Sequence, residues 1–102
     1  MKITREQNGS TMTVALEGRL DSTGAIELEN VLRNDDVLIR LTELTLDFSR
    51  LEYVSSAGLR VLRNLYVDTK GIRFRITNMN ETVREVFDVT GFSDLLTTVR
   101  AE

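Results

Sequence analysis

Cysteine and histidine are both missing from the 102 residues. The first absence excludes disulfides, thiolate metal sites and a cysteine nucleophile. The second removes the commonest general base and the usual imidazole metal ligand. Catalysis would have to run on carboxylates, hydroxyls or Lys and Arg alone. Tryptophan is missing as well, and with four Phe and two Tyr the core is expected to be mostly aliphatic. No apolar run approaches the ~20 residues that a membrane-spanning helix needs. The opening "MKITREQNGS" has no apolar core behind its lysine, so it does not read as a secretory signal and a cytoplasmic location is expected. The net charge of −3 is spread among interspersed acids and bases. The basic stripe of a nucleic-acid binder is not there.

What is present reads as one compact domain over residues 1–102. "NGS" at 8–10 is a hairpin signal, and beyond it Met12, Val14 and Leu16 alternate against Thr11, Thr13 and Ala15. Two antiparallel strands are expected there. A helix follows, capped by Ser22 or Thr23, with Ala25, Leu28, Val31 and Leu32 on one face and its end near Asn34. "DDVLIRLTE" is ambiguous, a loop with a helical turn. "LTLDF" at 44–48 is a short strand that breaks at Ser49 and Arg50. Leu59, Leu62, Leu65 and Tyr66 then share one face of a helix starting near Gly58 and ending by Lys70 and Gly71. "IRFRIT" at 72–77 alternates as a strand. Asn78 and Glu81 have capping-box spacing before a helix with Val83, Val86 and Phe87 inward, which Gly91 ends. "FSDLLTTVR" gives a turn and a last strand.

The order β-β-α-β-α-β-α predicts an α/β domain, a mixed sheet with helices packed mainly on one face. Ferredoxin-like and flavodoxin-like arrangements are the alternatives. No proline-rich linker, internal repeat or low-complexity tract interrupts the chain.

The chemistry-bearing candidates are few. A phosphate-binding loop fails, since "SSAGLR" has one Gly and no Lys-Ser/Thr pair; no G-x-G-x-x-G or G-x-S-x-G exists either. Asp47 at a strand end and Asp21 before "STGA" both fit local capping or pairing. Arg60 and Arg63 flank the central helix as a solvated rim, and Glu52 and Tyr53 are placed in a loop before the serines. Ser55 and Ser56 stand at the strand-to-helix junction, followed only by Ala57 and Gly58. One serine suffices for a cap. The other occupies an uncluttered place where the helix start tolerates a phosphate. Gly58 costs about 1 kcal/mol of helix propensity relative to Ala, which a close approach at that position would explain.

Taken together, "VALEGRLDSTGA", "LTLDFSRLEYVSSAGLRVL" and "FDVTGFSDLL" resemble the anti-sigma-factor antagonists of the STAS fold, over nearly the whole chain. The middle motif is the specific one. The resemblance implies a regulator, not an enzyme, that needs no cofactor. In such proteins an anti-sigma factor that is itself a serine kinase phosphorylates a serine at the head of the central helix. The unphosphorylated antagonist binds that kinase and frees a sigma factor, and a PP2C-type phosphatase resets it. The acceptor position matches Ser56, with Ser55 the alternative. Gly58 and Leu59 match the residues that follow, and Asp21 matches an acid in the neighbouring strand-helix loop. Many family members carry Asp where this chain has Ser55. The implied partner surface comprises Asp21, Ser22, Thr23, Gly24, Arg50, Glu52, Tyr53, Ser55, Ser56, Gly58 and Arg60, with no metal, membrane or nucleic acid involved. A STAS subunit of a lipid-transport or stress-signalling complex that never switches is the alternative.

Overall fold

The computed structural model describes residues 1–33, 40–69 and 72–91, and the backbone of 100–101. Strand β1 (Lys2–Asn8) and strand β2 (Thr11–Leu20) form the expected hairpin, with Gly9 at φ 64° in the turn and Thr11 Oγ1 donating to the Asn8 carbonyl at 2.9 Å. Then come helix α1 (Ser22–Arg33), strand β3 (Glu43–Val54), helix α2 (Ser56–Asp68), strand β4 (Arg73–Thr77), helix α3 (Glu81–Val89) and the short strand β5 (Arg100–Ala101). The sheet order is β1-β2-β3-β4-β5, antiparallel in the first pair and parallel thereafter.

This order explains the layering. Each β-α-β crossover adds its new strand on the same side of the last one. Crossovers of one hand that always step in one direction put every helix on the same face of the sheet. A doubly wound sheet needs its strand order to reverse, and this one never does. The ferredoxin-like and flavodoxin-like alternatives therefore fall away. Burial agrees: Met12, Val14 and Leu16 on β2, Leu44, Leu46 and Phe48 on β3, and Phe74 and Ile76 on β4 are buried under the helices. The intervening Thr13, Thr45, Asp47 and Arg75 remain exposed or half-buried on the other face. Leu28 and Leu32 of α1, Leu62 and Leu65 of α2, and Val83 and Phe87 of α3 close the core. Phe87 meets Phe48 edge-on, with ring centroids 6.4 Å apart. Among the described residues no helix is long and apolar enough to cross a membrane.

Three expectations are corrected here. Strand β3 does not end at Ser49 and Arg50 but runs on to Val54. The break in alternation is a bulge: the register between β2 and β3 shifts between Ala15 and Glu17 and again between Gly18 and Arg19. Ser49 and Arg50 are both exposed, and Leu51 and Val54 then return to the core. The Ser49 amide, displaced from regular pairing, donates to Asp47 Oδ1 at 2.9 Å. Glu52 and Tyr53 are therefore strand residues.

The second correction concerns α3. Its cap is Asn80, whose side chain accepts from the Val83 amide at 2.8 Å. Asn78 instead takes a left-handed φ of 61° and donates through Nδ2 to Asp47 Oδ1 at 3.1 Å. Helix α2 begins at Ser56, two residues before the expected start, and Thr69 caps its far end. Lys70, Gly71, most of "DDVLIRLTE" and all of "FSDLLTTVR" but Arg100 lie outside the described residues.

Asn80 both caps α3 and donates from Nδ2 to the Leu51 carbonyl at 2.9 Å, so it ties the helix to β3. Asn80→Ala is expected to lower stability by about 1–2 kcal/mol, the upper part of the range for losing a cap. Urea unfolding followed by circular dichroism measures it.

Candidate functional site

Strands β2 and β3 are parallel neighbours, so the helices that follow them start side by side at one end of the sheet. The two junctions are built alike. Asp21 Oδ1 accepts from the Gly24 amide at 3.0 Å, and Ser55 Oγ accepts from the Gly58 amide at 3.2 Å. In each case the cap is followed by a serine (Ser22 or Ser56), a small residue, and a glycine. The sequence suggests Ser22 or Thr23 as the α1 cap; the structure corrects this to Asp21, whose carboxylate reaches the Gly24 amide three residues on.

The junctions are stitched together through Leu20. Its carbonyl accepts from the Ser55 amide at 2.9 Å and from the Ser55 hydroxyl at 3.2 Å. The first turn of α2 passes directly over this carbonyl. A Cβ on Gly58 would lie 2.5 Å from the Leu20 oxygen and 2.9 Å from Val54 Cγ2, so no side chain fits. Gly24 repeats the arrangement, its missing Cβ falling 2.8 Å from the Arg19 carbonyl. Both glycines are buried. The close approach at Gly58 is thus made by the protein's own strand, and neither glycine offers surface to a partner.

The two serines differ sharply. Ser55 is half-buried, and its hydroxyl both donates to Leu20 and accepts from Gly58. Ser56 is exposed at the first helical position, and its hydroxyl makes no hydrogen bond among the described residues. Ser22 and Thr23 are exposed beside it on α1, and Arg60 is exposed one turn further along α2. Asp21 is half-buried as the α1 cap; the Gly24 amide holds its carboxyl below the usual aspartate range, with Thr23 and Arg19 adding to the effect against partial desolvation.

Other expected members lie further off. Arg50 sits five residues before Ser55 on an extended strand, roughly 16 Å away at about 3.3 Å per residue. It is 76% exposed and faces Glu17 at 3.8 Å. With Lys2, Thr4, Asp47 and Ser49 these two line a shallow cavity of about 300 Å³ on the sheet face opposite the helices. Burial there pushes Asp47 upward, but hydrogen bonds from Asn78 and Ser49 outweigh it and leave the carboxyl below its usual value. Glu52 is exposed, and Tyr53 is half-buried beneath Arg19, whose guanidinium carbon lies 4.6 Å from the ring centroid. Sequence reasoning missed Arg19, Leu20 and Ile26. Ile26, one turn beyond Ser22, is 63% exposed. Only its place on the polar side of the α1 pattern could have betrayed it. Among the described residues no group of three acidic side chains is placed to hold a metal ion.

Comparison with known proteins places the chain in a family. A family model described as STAS domain matches residues 2–102. A proposed anti-sigma factor antagonist, BtrV of Bordetella bronchiseptica, is 32% identical over 94 residues, covering 90% of this chain and 80% of its own. The Bacillus cell fate determinant SpoIIAA in its phosphorylated form superposes with a TM-score of 0.75 at 18% identity, covering 99% of this chain and 91% of that one. A sulfate transporter family protein from Wolinella succinogenes gives 0.73 at 17% identity, over 89% and 76%.

Two measurements probe the junctions. Gly58→Ala is expected to destabilise the fold by about 1–3 kcal/mol, the usual cost of overpacking, less the gain in helix propensity. Denaturant titration reads it. The second concerns Asp21, whose folded-state carboxyl is depressed. The stability it adds is full above the ordinary aspartate value of 3.8 and is lost as pH falls through the depressed one. Asn caps about as well as Asp but does not titrate. Asp21→Asn should therefore leave stability at pH 7 nearly unchanged and flatten the acid limb of a stability–pH curve.

Proposed function

Since the chain belongs to the STAS domain family of anti-sigma-factor antagonists, we propose that it binds an anti-sigma serine kinase and that phosphorylation of Ser56 breaks the contact. One observation carries this reading. The Ser55 hydroxyl is consumed by the fold, while the Ser56 hydroxyl stands exposed and unengaged at the start of α2. BtrV, the relative at 32% identity, supports the antagonist role, and the phosphorylated SpoIIAA supports the idea that this fold carries such a group.

The protein is the substrate in this step. With no histidine in the chain, the base belongs to the kinase. The γ-phosphoryl of ATP passes to Ser56 Oγ, the hydroxyl proton leaves to that base, and ADP departs. The product carries about −1.5 to −2 additional charges at the contact. A closely packed partner surface must desolvate that charge, and the complex dissociates. Hydrolysis by a PP2C-type phosphatase restores the hydroxyl. The contact surface on this side consists of Ser22, Thr23 and Ile26 on α1 with Ser56 and Arg60 on α2. Asp21, Gly24, Ser55 and Gly58 act beneath it by setting the two helix starts. Arg50, Glu52 and Tyr53 join only if the footprint extends along β3.

A non-switching subunit is the second reading, favoured by the fold likeness to the sulfate transporter family protein. The two readings separate in one experiment. Ser56→Ala and Ser56→Asp should both fold with melting points near wild type, since neither touches the Leu20 carbonyl. On the switch reading the Ala variant binds the isolated kinase like wild type. The Asp variant binds at least tenfold more weakly, because it carries charge into the contact. Calorimetric titration reads both, with phosphopeptide mapping of the wild type after incubation with kinase and ATP. Equal affinities, or phosphate found only on Ser55, would sink the assignment of Ser56.

A further inference from the structure

Helix α2 carries a row of cations that the fold does not use. At 3.6 residues per turn, Ser56, Arg60 and Arg63 fall within an arc of about 60° on its outer side. All three are exposed. The ion pairs among the described residues are Arg33 with Glu29 and Asp68, Arg50 with Glu17, and Arg75 with Glu43; Arg60 and Arg63 take part in none of them. Nor is there an acidic side chain in the first turn of α2 to offset them. Ser56 is at the positive end of the helix dipole, where an anion is welcome, and Arg60 stands one turn further along the same side. Among the described residues no carboxylate is paired with Arg60.

A phosphate on Ser56 would supply the missing anion. Side chains four apart on a helix are neighbours, with Cβ atoms about 5–6 Å apart, and the anion would stand N-terminal to the cation, the better order. We propose that Arg60 is the intramolecular partner of phosphoserine 56: the modified hydroxyl is held against its own helix by the guanidinium at i+4. This rests on the reading of Ser56 as the modified residue and adds how the modified state is kept. The phosphate then does more than place charge at the contact. It also occupies Arg60, which is free for a partner in the unmodified protein. Arg63, two turns from Ser56, is too far along the helix for the same bidentate geometry. Among the described residues the other charges at this end of the sheet include Asp21 at the α1 cap, Arg19 over Tyr53, Glu52 on β3, Glu81 at the start of α3 and the Met1 amino group beside Gly18 and Gly24.

The test uses full-length protein with phosphoserine installed at position 56 by genetic code expansion, so no kinase is involved. Four proteins are compared with and without the phosphate: wild type, Arg60→Gln, Arg60→Lys and Arg63→Gln. Thermal melts are recorded at pH 8 and the phosphate is titrated by ³¹P NMR. Phosphorylation is expected to raise the wild-type melting temperature, and Arg60→Gln to reduce that rise by about 2 °C. The second phosphate pKa, about 6 in an unperturbed phosphoserine, is expected to be higher in Arg60→Gln than in wild type by about 0.3 unit. Arg60→Lys should restore part of both effects, and Arg63→Gln should leave both unchanged. An equal rise and an equal phosphate pKa in wild type and Arg60→Gln would overturn the proposal. Failure of a kinase to modify Ser56 would count against the functional reading instead, and these measurements would be unaffected.

Discussion

The Leu20 carbonyl is the point on which the end of the molecule that carries both helix starts depends. It receives the Ser55 amide and the Ser55 hydroxyl, and it lies under the bare Cα of Gly58. These contacts fix where α2 begins, how close it comes to β2, and hence how its start sits beside that of α1. The carbonyl belongs to the last residue of β2, immediately before the cap of α1. One peptide unit therefore positions both junctions, and a shift at either would be transmitted to the other. Gly24 over the Arg19 carbonyl supports the same arrangement from the α1 side.

The topology makes this coupling possible. Because the strands add in sequence order, the crossover helices lie side by side on one face and start at one end of the sheet. Among the described residues no helix lies on the opposite face, which carries Thr, Asp and Arg side chains and the Glu43–Arg75 pair. A small domain arranged this way has no crevice between reversed halves of a sheet in which a cofactor would settle. It has a surface made of helix starts. Such a surface suits contact with a protein better than enclosure of a small molecule.

Much of this was legible in the chain. The strict alternation of β2 and β4 and the spacing of Leu59, Leu62 and Leu65 follow from one-sided burial, which local pattern records faithfully. Three features were not legible, each for a physical reason. A bulge adds one residue to a strand, so the exposed pair Ser49 and Arg50 looks like an end when the pairing continues. Asn78 and Asn80 are both plausible caps by composition, and the choice is made by the Leu51 carbonyl, 29 residues away from Asn80 in sequence. Gly58 reads as room for a visitor until the strand that fills the room is seen. The motif drew attention to this junction, and strand–helix contact decides which of its residues are surface.

The two adjacent serines would not be equivalent as phosphate acceptors, because the fold engages one hydroxyl and leaves the other exposed. A phosphate on Ser55 would remove the proton that its hydroxyl gives to Leu20 and crowd the oxygen that receives the Gly58 amide. Modification there would loosen the start of α2 and, through Leu20, the neighbouring junction. A phosphate on Ser56 disturbs neither bond, because its hydroxyl has no part in them. A reversible switch must alter what the surface presents while leaving the scaffold able to return. On the proposed reading, a phosphate on Ser56 would meet that requirement, because the bonds that Ser55 makes to Leu20 and Gly58 stay intact while the charge at the helix start changes.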